Sequence, residues 1–281
     1  MRNALRIGNE TDLAMVWSAV CAAHIFGERD EFNRFFGEAP WRVQVTDAGE
    51  AAVLERWREH LNVLSVRGLW CAERRVAALM SSLDAVSSRQ GFADILSPIV
   101  PESHAEPYRD AGMHVCQRVI TMRLDRLQHQ EPVPSSLPEG VTLRLGCPDD
   151  LEALVAIDIT AFDAFWRGDA PTISRYLSLG RVMVAEAAGQ LIGYTLATVE
   201  REEGMLGRLT VVPRHRGRGV GTWLLNDAVE YLVRAGAFAV SLCTQEDNAM
   251  SRSLYGRAGF REVGETSVLL AYGRTPETQA I

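Results

Sequence analysis

The stretch that constrains this chain most runs from Leu206 to Gly221 and reads LGRLTVVPRHRGRGVG. Its apolar and β-branched residues at 209–212 predict a strand that ends at Pro213. A basic turn with three glycines follows, and an amphipathic helix begins directly after that turn. A strand, a glycine-rich turn and a helix in immediate succession indicate a mixed α/β fold in which this turn binds an anion.

The physical properties of the turn support that interpretation. The glycines at 217, 219 and 221 allow positive φ angles and a close approach of a ligand to the main chain. The start of the following helix offers unpaired N–H groups and the positive end of the helix dipole. The turn also carries three positive charges, on Arg214, Arg216 and Arg218, although the net charge of the chain is −7. The expected ligand is a phosphate or pyrophosphate; an ordinary basic surface turn is the alternative.

Two common nucleotide motifs do not fit the turn. The P-loop pattern GxxxxGK[ST] is absent, because no Lys-Ser or Lys-Thr follows these glycines. The dinucleotide fingerprint GxGxxG is absent as well, since the spacing here is GxGxG. A P-loop NTPase and a Rossmann dehydrogenase are therefore not predicted.

The pattern Arg216-x-x-Gly219-x-Gly221 resembles the acetyl-CoA loop of the GCN5-related N-acetyltransferases, the GNAT superfamily. The downstream sequence extends the resemblance with a helix at 222–235, Gly236 after its end, and an apolar strand at 239–243. Members of that family then carry an Asn, a Tyr and a Gly-Phe pair, which correspond here to Asn248, Tyr255, Gly259 and Phe260. Ser251 departs from the Ala of many members. The resemblance covers roughly residues 141–272.

The resemblance implies acetyl transfer from acetyl-CoA, without a metal, to a small-molecule or peptide amine that attacks directly in a ternary complex. It implies Tyr255 as the acid for the leaving thiolate and residues 210–212 as the partner of the pantetheine. The implied cofactor-binding residues are Thr210, Val211, Val212, Arg214, Arg216, Gly217, Arg218, Gly219, Val220, Gly221, Thr222, Asn248 and Tyr255. Candidates for a general base stay open among Glu186, Glu200, Glu202 and Glu203. A non-catalytic acetyl-CoA-binding regulatory module is the alternative function.

An internal repeat indicates that the same fold occurs twice. Residues 5–8 (LRIG) match residues 143–146 (LRLG), and Asp12-Leu13 match Asp150-Leu151, both at an offset of 138. Further pairs follow at increasing offsets: Gly49 with Gly189, Phe92–Leu96 with Phe238–Leu242, and Tyr108 with Tyr255. Tandem members of the superfamily share this layout.

The two copies differ in the anion-binding turn. At an offset of 146, the turn 213–221 falls on residues 67–75 (RGLWCAERR), which place Glu73 at the position of Gly219 and Arg75 at that of Gly221. A carboxylate there would repel phosphate, so we expect the N-terminal copy to have lost the cofactor loop. An apolar pattern at 76–86 predicts that its helix remains; a hairpin over 69–82 is the competing interpretation.

The predicted fold is α/β (α+β), with two tandem GNAT-like domains. Each domain is a mixed, mostly antiparallel sheet flanked by helices, and the N-terminal copy is degenerate. We expect a degenerate domain at 1–127, a linker rich in proline at 128–140 and a catalytic domain at 141–275. Its final strands are predicted at 261–265 and 267–272.

Composition restricts the compartment and the partners. The five cysteines are scattered and form no CxxC pair, which favours a cytoplasmic protein without a disulfide framework or zinc site. No apolar run of 18 residues and no secretory signal are evident. The acidic net charge argues against nucleic-acid binding. We expect no membrane partner, and either a monomer with an internal pseudo-dimer or a homodimer.

Overall fold

The computed structural model describes residues 4–23, 25–58, 62–125, 137–200 and 202–279. The chain divides into two compact units. The first unit contains residues 1–118 and 267–281, and the second contains residues 119–266. In the described parts of the chain, no helix is long and apolar enough to span a bilayer.

The first unit combines four α-helices with short strands in its described residues. The helices are α1 (Glu10–Ala22), α2 (Arg29–Glu38), α3 (Val76–Arg89) and α4 (Glu106–Asp110). The strands are β1 (Arg6–Ile7), β2 (Val43–Val45), β3 (Ala51–Arg56), β4 (Val63–Trp70), β5 (Asp94–Leu96), β6 (Val100–Pro101) and β7 (His114–Leu124). Strand β7 begins in the first unit and passes into the second at Val119.

The second unit has the same succession of elements. Its helices are α5 (Leu151–Ala161), α6 (Ala170–Leu179), α7 (Val220–Arg234) and α8 (Ala249–Arg257). Its strands are β8 (Val141–Leu145), β9 (Arg181–Ala187), β10 (Gln190–Glu200), β11 (Glu203–Val211), β12 (Ala239–Gln245) and β13 (Arg261–Ala271). Strand β13 leaves this unit at Ser267.

Each unit contains a mixed, mostly antiparallel sheet, so the predicted fold class is confirmed. In the first unit β1 to β4 pair antiparallel in succession, and β4 pairs parallel with β5. In the second unit β8 to β11 pair antiparallel, and β11 pairs parallel with β12. The outer neighbour of β12 is residues 119–124 of β7, and the neighbour of β5 and β6 is residues 267–271 of β13.

Alternation along β10 explains how helices cover both faces of the second sheet. Tyr194 and Leu196 pack with Leu154 of α5 and Ile173 of α6. Ala197 points to the opposite face and packs with Leu225 of α7 and its neighbours. Helices α5 and α6 therefore cover one face of the sheet, and α7 covers the other.

The repeat also appears in matching side-chain contacts. Arg6 donates to both carboxylate oxygens of Asp12, at 2.6 and 3.1 Å, and Arg144 does the same to Asp150 at 2.8 Å. The turn glycines agree as well, because Gly49 and Gly189 have φ angles of 83° and 74°. Both units thus begin with the same ion pair between their first strand and a residue at the start of their first helix.

The pairing of strands corrects the alignment of the two copies. Each parallel pair of strands begins at corresponding residues. Val63 pairs with Asp94 in the first unit, and Glu203 pairs with Ala239 in the second. The offset between the copies is therefore 140 for β4 and 145 for β5. Most buried positions of α3 match buried positions of α7 when the offset between the copies is 145. The predicted offset of 146, which matched Phe92 with Phe238 and Glu73 with Gly219, is therefore wrong. The five residues 216–220 have no counterpart in the first unit.

Two further sequence interpretations differ from the structure. The predicted strands 261–265 and 267–272 are one continuous strand, β13, which passes through Gly264 at a φ of 71°. The alternative hairpin over 69–82 is wrong, because β4 ends at Trp70 and α3 begins at Val76. The domain boundaries 1–127 and 141–275 stay a prediction, and most of the linker at 128–140 lies outside the described residues.

Candidate functional site

The site begins with two parallel strands that diverge. Strands β11 and β12 pair only between residues 203–205 and 239–241, although both continue for several residues beyond. The register of β10 and β11 skips Gly207, which marks a β-bulge in β11. Within the described residues, β11 has no main-chain partner in β12 after Met205. That edge, as far as Val211, is therefore left open for an extended ligand, except at the Val211 carbonyl oxygen, which accepts from Arg216 at 2.9 Å.

The predicted anion-binding turn lies at the end of β11. Gly217 and Gly219 have φ angles of 72° and 86°, and Gly219 is the N-cap of α7 without a side-chain cap. The N–H groups of Val220, Gly221 and Thr222 therefore lie in the first turn of a helix, where they lack intrahelical acceptors. Gly221 itself lies inside the helix and has no positive φ, so the positive φ expected of this third glycine is wrong, while its expected approach to the ligand stays a prediction.

The three arginines of the turn have different roles. Arg214 is exposed and donates to Oε1 of Gln190 at 2.9 Å. Arg218 is also exposed. Arg216 is half-buried and donates to the carbonyl oxygens of Val211, at 2.9 Å, and Ala161, at 3.1 Å. Arg216 therefore fixes the turn against the end of α5, while Arg214 and Arg218 face solvent.

The first unit differs in charge beside its turn glycine, and the arginine there, Arg75, aligns with His215 rather than with Arg214. Arg75 donates to both carboxylate oxygens of Glu50, at 2.9 and 3.3 Å. This contact holds the pKa of Glu50 below its usual range. Glu50 follows the turn glycine Gly49 as Gln190 follows Gly189, so an acid in the first unit corresponds to a neutral amide in the second. The nearby arginine is therefore neutralised only in the first unit.

Tyr255 lies in α8 and Asn248 caps that helix, so the two residues have different structural roles. Tyr255 is buried in a cluster that includes Leu206 of β11 and Leu242 of β12, and its ring centroid is 5.9 Å from that of Phe260. Burial raises the pKa of its hydroxyl to about 12. Asn248 is the N-cap of α8, since its Oδ1 accepts from the Ser251 N–H at 3.1 Å.

Two of the four candidate general bases accept hydrogen bonds from arginines. Oε2 of Glu186 accepts from Nε of Arg144 at 3.1 Å, and Glu203 accepts two hydrogen bonds of 2.9 Å from Arg123. Glu202 has a φ of 68° in the tight turn before β11. The side chain of Glu200 lies outside the described residues. None of these contacts singles out one carboxylate as a base.

A cavity of about 770 Å³ lies beside the turn, between α5 and the start of β10. Arg144 and Arg214 line it together with Asp150 and Glu186. Arg144 donates to both carboxylates, and its hydrogen bonds lower the pKa of Asp150 to about 2. Arg214 is thus the cavity's one arginine without a carboxylate partner in the described residues.

Sequence reasoning missed a buried polar cluster of Asp158, Tyr194 and Arg208. The Asp158 side chain is fully buried and that of Arg208 is 8% exposed. Arg208 donates to Asp158, and so does the Tyr194 hydroxyl, at 2.5 Å. A signal existed in the sequence: Asp158 continues the apolar spacing of Leu151 and Leu154 on α5, and a carboxylate in such a position requires a partner.

Comparisons with known proteins agree with this geometry. Residues 151–260 match the model of the Acetyltransferase (GNAT) family. A mycothiol acetyltransferase of Pseudarthrobacter chlorophenolicus is 31% identical over 214 residues, which cover 70% of this chain and 64% of that protein. The chain spans less than two thirds of the length of the curated mycothiol acetyltransferases that it matches first.

Two solved structures share the fold across most of the chain. A GCN5-related N-acetyltransferase from Sphaerobacter thermophilus has a TM-score of 0.64 at 20% identity, with 99% of this chain and 96% of that one covered. A tandem GNAT protein from the clavulanic acid biosynthesis pathway also has a TM-score of 0.64, at 18% identity, with 81% and 79% covered. Residues 151–260 therefore belong to the GNAT family, and the chain shares the fold of tandem GNAT structures and is similar to the mycothiol acetyltransferases.

Proposed function

We propose that the second unit is an acetyl-CoA-dependent N-acetyltransferase that transfers the acetyl group to a primary amine. The observation that carries the proposal is the open edge of β11 beside an uncapped helix N-terminus. An extended amide-bearing arm fits the first feature, and a pyrophosphate fits the second. Acetyl-CoA contains both groups in one molecule.

The proposed roles of the binding residues follow from their positions. The main chain of residues 210–212 pairs with the pantetheine arm. The N–H groups of residues 217–222 bind the pyrophosphate, and Arg214 and Arg218 add positive charge. Arg216 and Asn248 contribute indirectly, because Arg216 holds the turn to Ala161 and Asn248 caps α8.

In the proposed reaction the amine nitrogen attacks the thioester carbonyl directly, within a ternary complex. The new C–N bond forms, the C–S bond breaks, and the amine loses a proton to solvent or to a base. Tyr255 stabilises the leaving thiolate. A hydroxyl with a pKa of about 12 is a weaker acid than a thiol with a pKa of about 8.5, so Tyr255 acts mainly by donating a hydrogen bond to sulfur.

The acceptor must be neutral to attack. An amine with a pKa of about 10.4 is only about one part in 10³ neutral near pH 7, so a base or water relay would accelerate the reaction. The acceptor is a small-molecule or peptide amine. Because the curated relatives are named mycothiol acetyltransferases, a mycothiol-related amine belongs among the candidates beside aminoglycosides, polyamines and amino-acid derivatives.

A binding module that holds acetyl-CoA without turnover is the second candidate. The open strand edge and the glycine turn would serve it equally well. The presence of Tyr255 among side chains of the diverging strands favours the enzyme, because binding alone does not need a tyrosine there.

The deciding experiment measures thiol release from acetyl-CoA in the presence of a panel of these amines. Calorimetry on the same protein measures acetyl-CoA binding. We expect binding and amine-dependent thiol release together. Tight acetyl-CoA binding without thiol release for any amine would show that the protein is a binding module and not an enzyme. The absence of both binding and thiol release would refute the proposal.

A further inference from the structure

The buried cluster in the second unit extends to the segment between α5 and α6. The Arg208 guanidinium lies 3.8 Å from the centroid of the Phe162 ring and donates to the Trp166 carbonyl oxygen at 2.8 Å. Asp158 accepts from the Gly168 N–H at 2.5 Å. One ion pair therefore contacts the beginning, middle and end of residues 162–168.

The proposed phosphate turn holds the same segment from its other side. Arg216 donates to the carbonyl oxygen of Ala161, the last residue of α5. Arg208 lies on β11, two residues before Thr210, on the face of the sheet that α5 and α6 cover. Segment 162–168 is thus fixed against the face of β11, two residues before the part of the strand that would pair with the pantetheine arm.

The first unit provides an internal comparison. By the strand and helix alignments, the counterparts of Asp158, Tyr194 and Arg208 are Val20, Ala51 and Gly68. A side chain at Gly68 would collide with the Trp70 ring, which lies over this position. The first unit therefore folds the same architecture with apolar residues where the second has a buried carboxylate and guanidinium.

Stability does not explain why the second unit has a buried ion pair at these positions. Burial of two charges costs desolvation energy that their attraction often fails to recover, and well-packed apolar replacements are commonly neutral or stabilising. What the polar cluster provides is directional contact with one segment, at Phe162, Trp166 and Gly168. That segment carries three aromatic side chains within five residues, at Phe162, Phe165 and Trp166.

We propose that Arg208 and Asp158 are positioning residues that hold segment 162–168 as a wall of the acceptor-amine site. Both are too deeply buried to contact the acceptor, so they act through the segment. This inference rests on the proposed acetyltransferase function of the second unit.

The test separates positioning from simple stabilisation. In the single variant Arg208→Met, Asp158 is buried without its partner, so both the thermal midpoint and kcat/KM for the acceptor should fall. The triple variant Asp158→Val, Tyr194→Phe, Arg208→Met removes the whole cluster, and its thermal midpoint should recover most of the loss. Its kcat/KM for the best amine of the panel should stay at least about tenfold below wild type, with acetyl-CoA affinity within about twofold.

Asp227→Asn is the matched control. Asp227 pairs with Arg181 in a half-buried contact within the same unit, but neither residue contacts segment 162–168 in the described structure. This variant should lower the thermal midpoint and leave acceptor kinetics unchanged.

Wild-type acceptor kinetics in the triple variant would overturn the positioning role. So would an equal loss of acceptor kinetics in Asp227→Asn. If wild-type protein acetylates no amine, the proposed function itself fails, and the role assigned to segment 162–168 fails with it.

Discussion

At the scale of single residues, Gly219 connects backbone geometry to the proposed ligand. It has a φ of 86°, caps α7, and has open space where a side chain would lie. Gly236, just past the C-terminus of the same helix, has a φ of 93° and similar open space. The two glycines carry the same conformational requirement, but only Gly219 adjoins the uncapped N–H groups.

We therefore expect Gly219→Ala and Gly236→Ala to have similar effects on stability and different effects on binding. Each places a non-glycine residue in the left-handed region, at a cost of about 1–2 kcal/mol. Calorimetry should show acetyl-CoA affinity reduced at least about tenfold in Gly219→Ala and unchanged in Gly236→Ala. Equal affinities in both variants would remove the turn from the binding site.

The sequence predicted backbone roles better than side-chain roles. Positive φ at Gly217 and Gly219 was predictable, because glycine alone adopts it without strain. The engagement of Arg216 with Ala161 was not, since that contact joins residues 55 positions apart. The cluster around Asp158 was missed for the same reason: its partners come from three separate elements.

At the scale of elements, the turn between β9 and β10 sets the charge near the phosphate turn. Gln190 gives Arg214 a neutral acceptor, whereas Glu50 gives Arg75 a carboxylate. An arginine that already pairs with an acid has less attraction left for a phosphate. This difference accompanies the loss of the five residues 216–220 from the first unit.

Gln190→Glu should accordingly weaken acetyl-CoA binding. The new carboxylate would pair with Arg214 and repel the phosphates; an exposed pair worth up to about 1 kcal/mol corresponds to roughly a fivefold loss of affinity. The loss should shrink in 0.5 M salt, where exposed charges are screened. Gln190→Ala is the control and should bind nearly as wild type does. A loss of the same size in Gln190→Ala would rule out the charge explanation.

The elements around the glycine turn of the second unit were predictable because their apolar periodicity is regular. Helix α7 and strand β12 lie within a few residues of their predicted positions, 222–235 and 239–243, and β11 ends just before Pro213. Strand β13 was divided wrongly into two, since the chain continues as one strand through Gly264 despite its positive φ. The copies were misaligned at the loop because a five-residue insertion changes the offset abruptly, and no local pattern locates such a change.

At the scale of the whole molecule, each sheet includes a strand from the other copy of the repeat. Residues 119–124 of β7 pair with β12, from Val119 opposite Gln245 to Leu124 opposite Val240. Residues 267–271 of β13 pair with β5 and β6 in the first unit. Sequence reasoning assigned both strands to their own copies, because pairing across a long separation leaves no local pattern.

Fragments test the consequence of this arrangement. A fragment of residues 138–281 lacks residues 119–124 and exposes the unpaired edge of β12, so we expect it to aggregate. A fragment of residues 114–281 keeps that strand and should be more soluble, as measured by size-exclusion chromatography and circular dichroism. A stable, fully active 138–281 fragment would show that the strand is dispensable.

The central claim is that the second unit transfers acetyl groups and that Tyr255 assists the leaving thiolate. The most direct measurement compares kcat for amine-dependent thiol release in Tyr255→Phe and Tyr108→Phe. The two tyrosines are matched, because both are buried and burial raises the pKa of each to about 12. Tyr255→Phe should lower kcat at least about tenfold with acetyl-CoA affinity nearly unchanged, and Tyr108→Phe should leave kcat near wild type. Full activity in Tyr255→Phe, or a larger loss in Tyr108→Phe, would contradict the account.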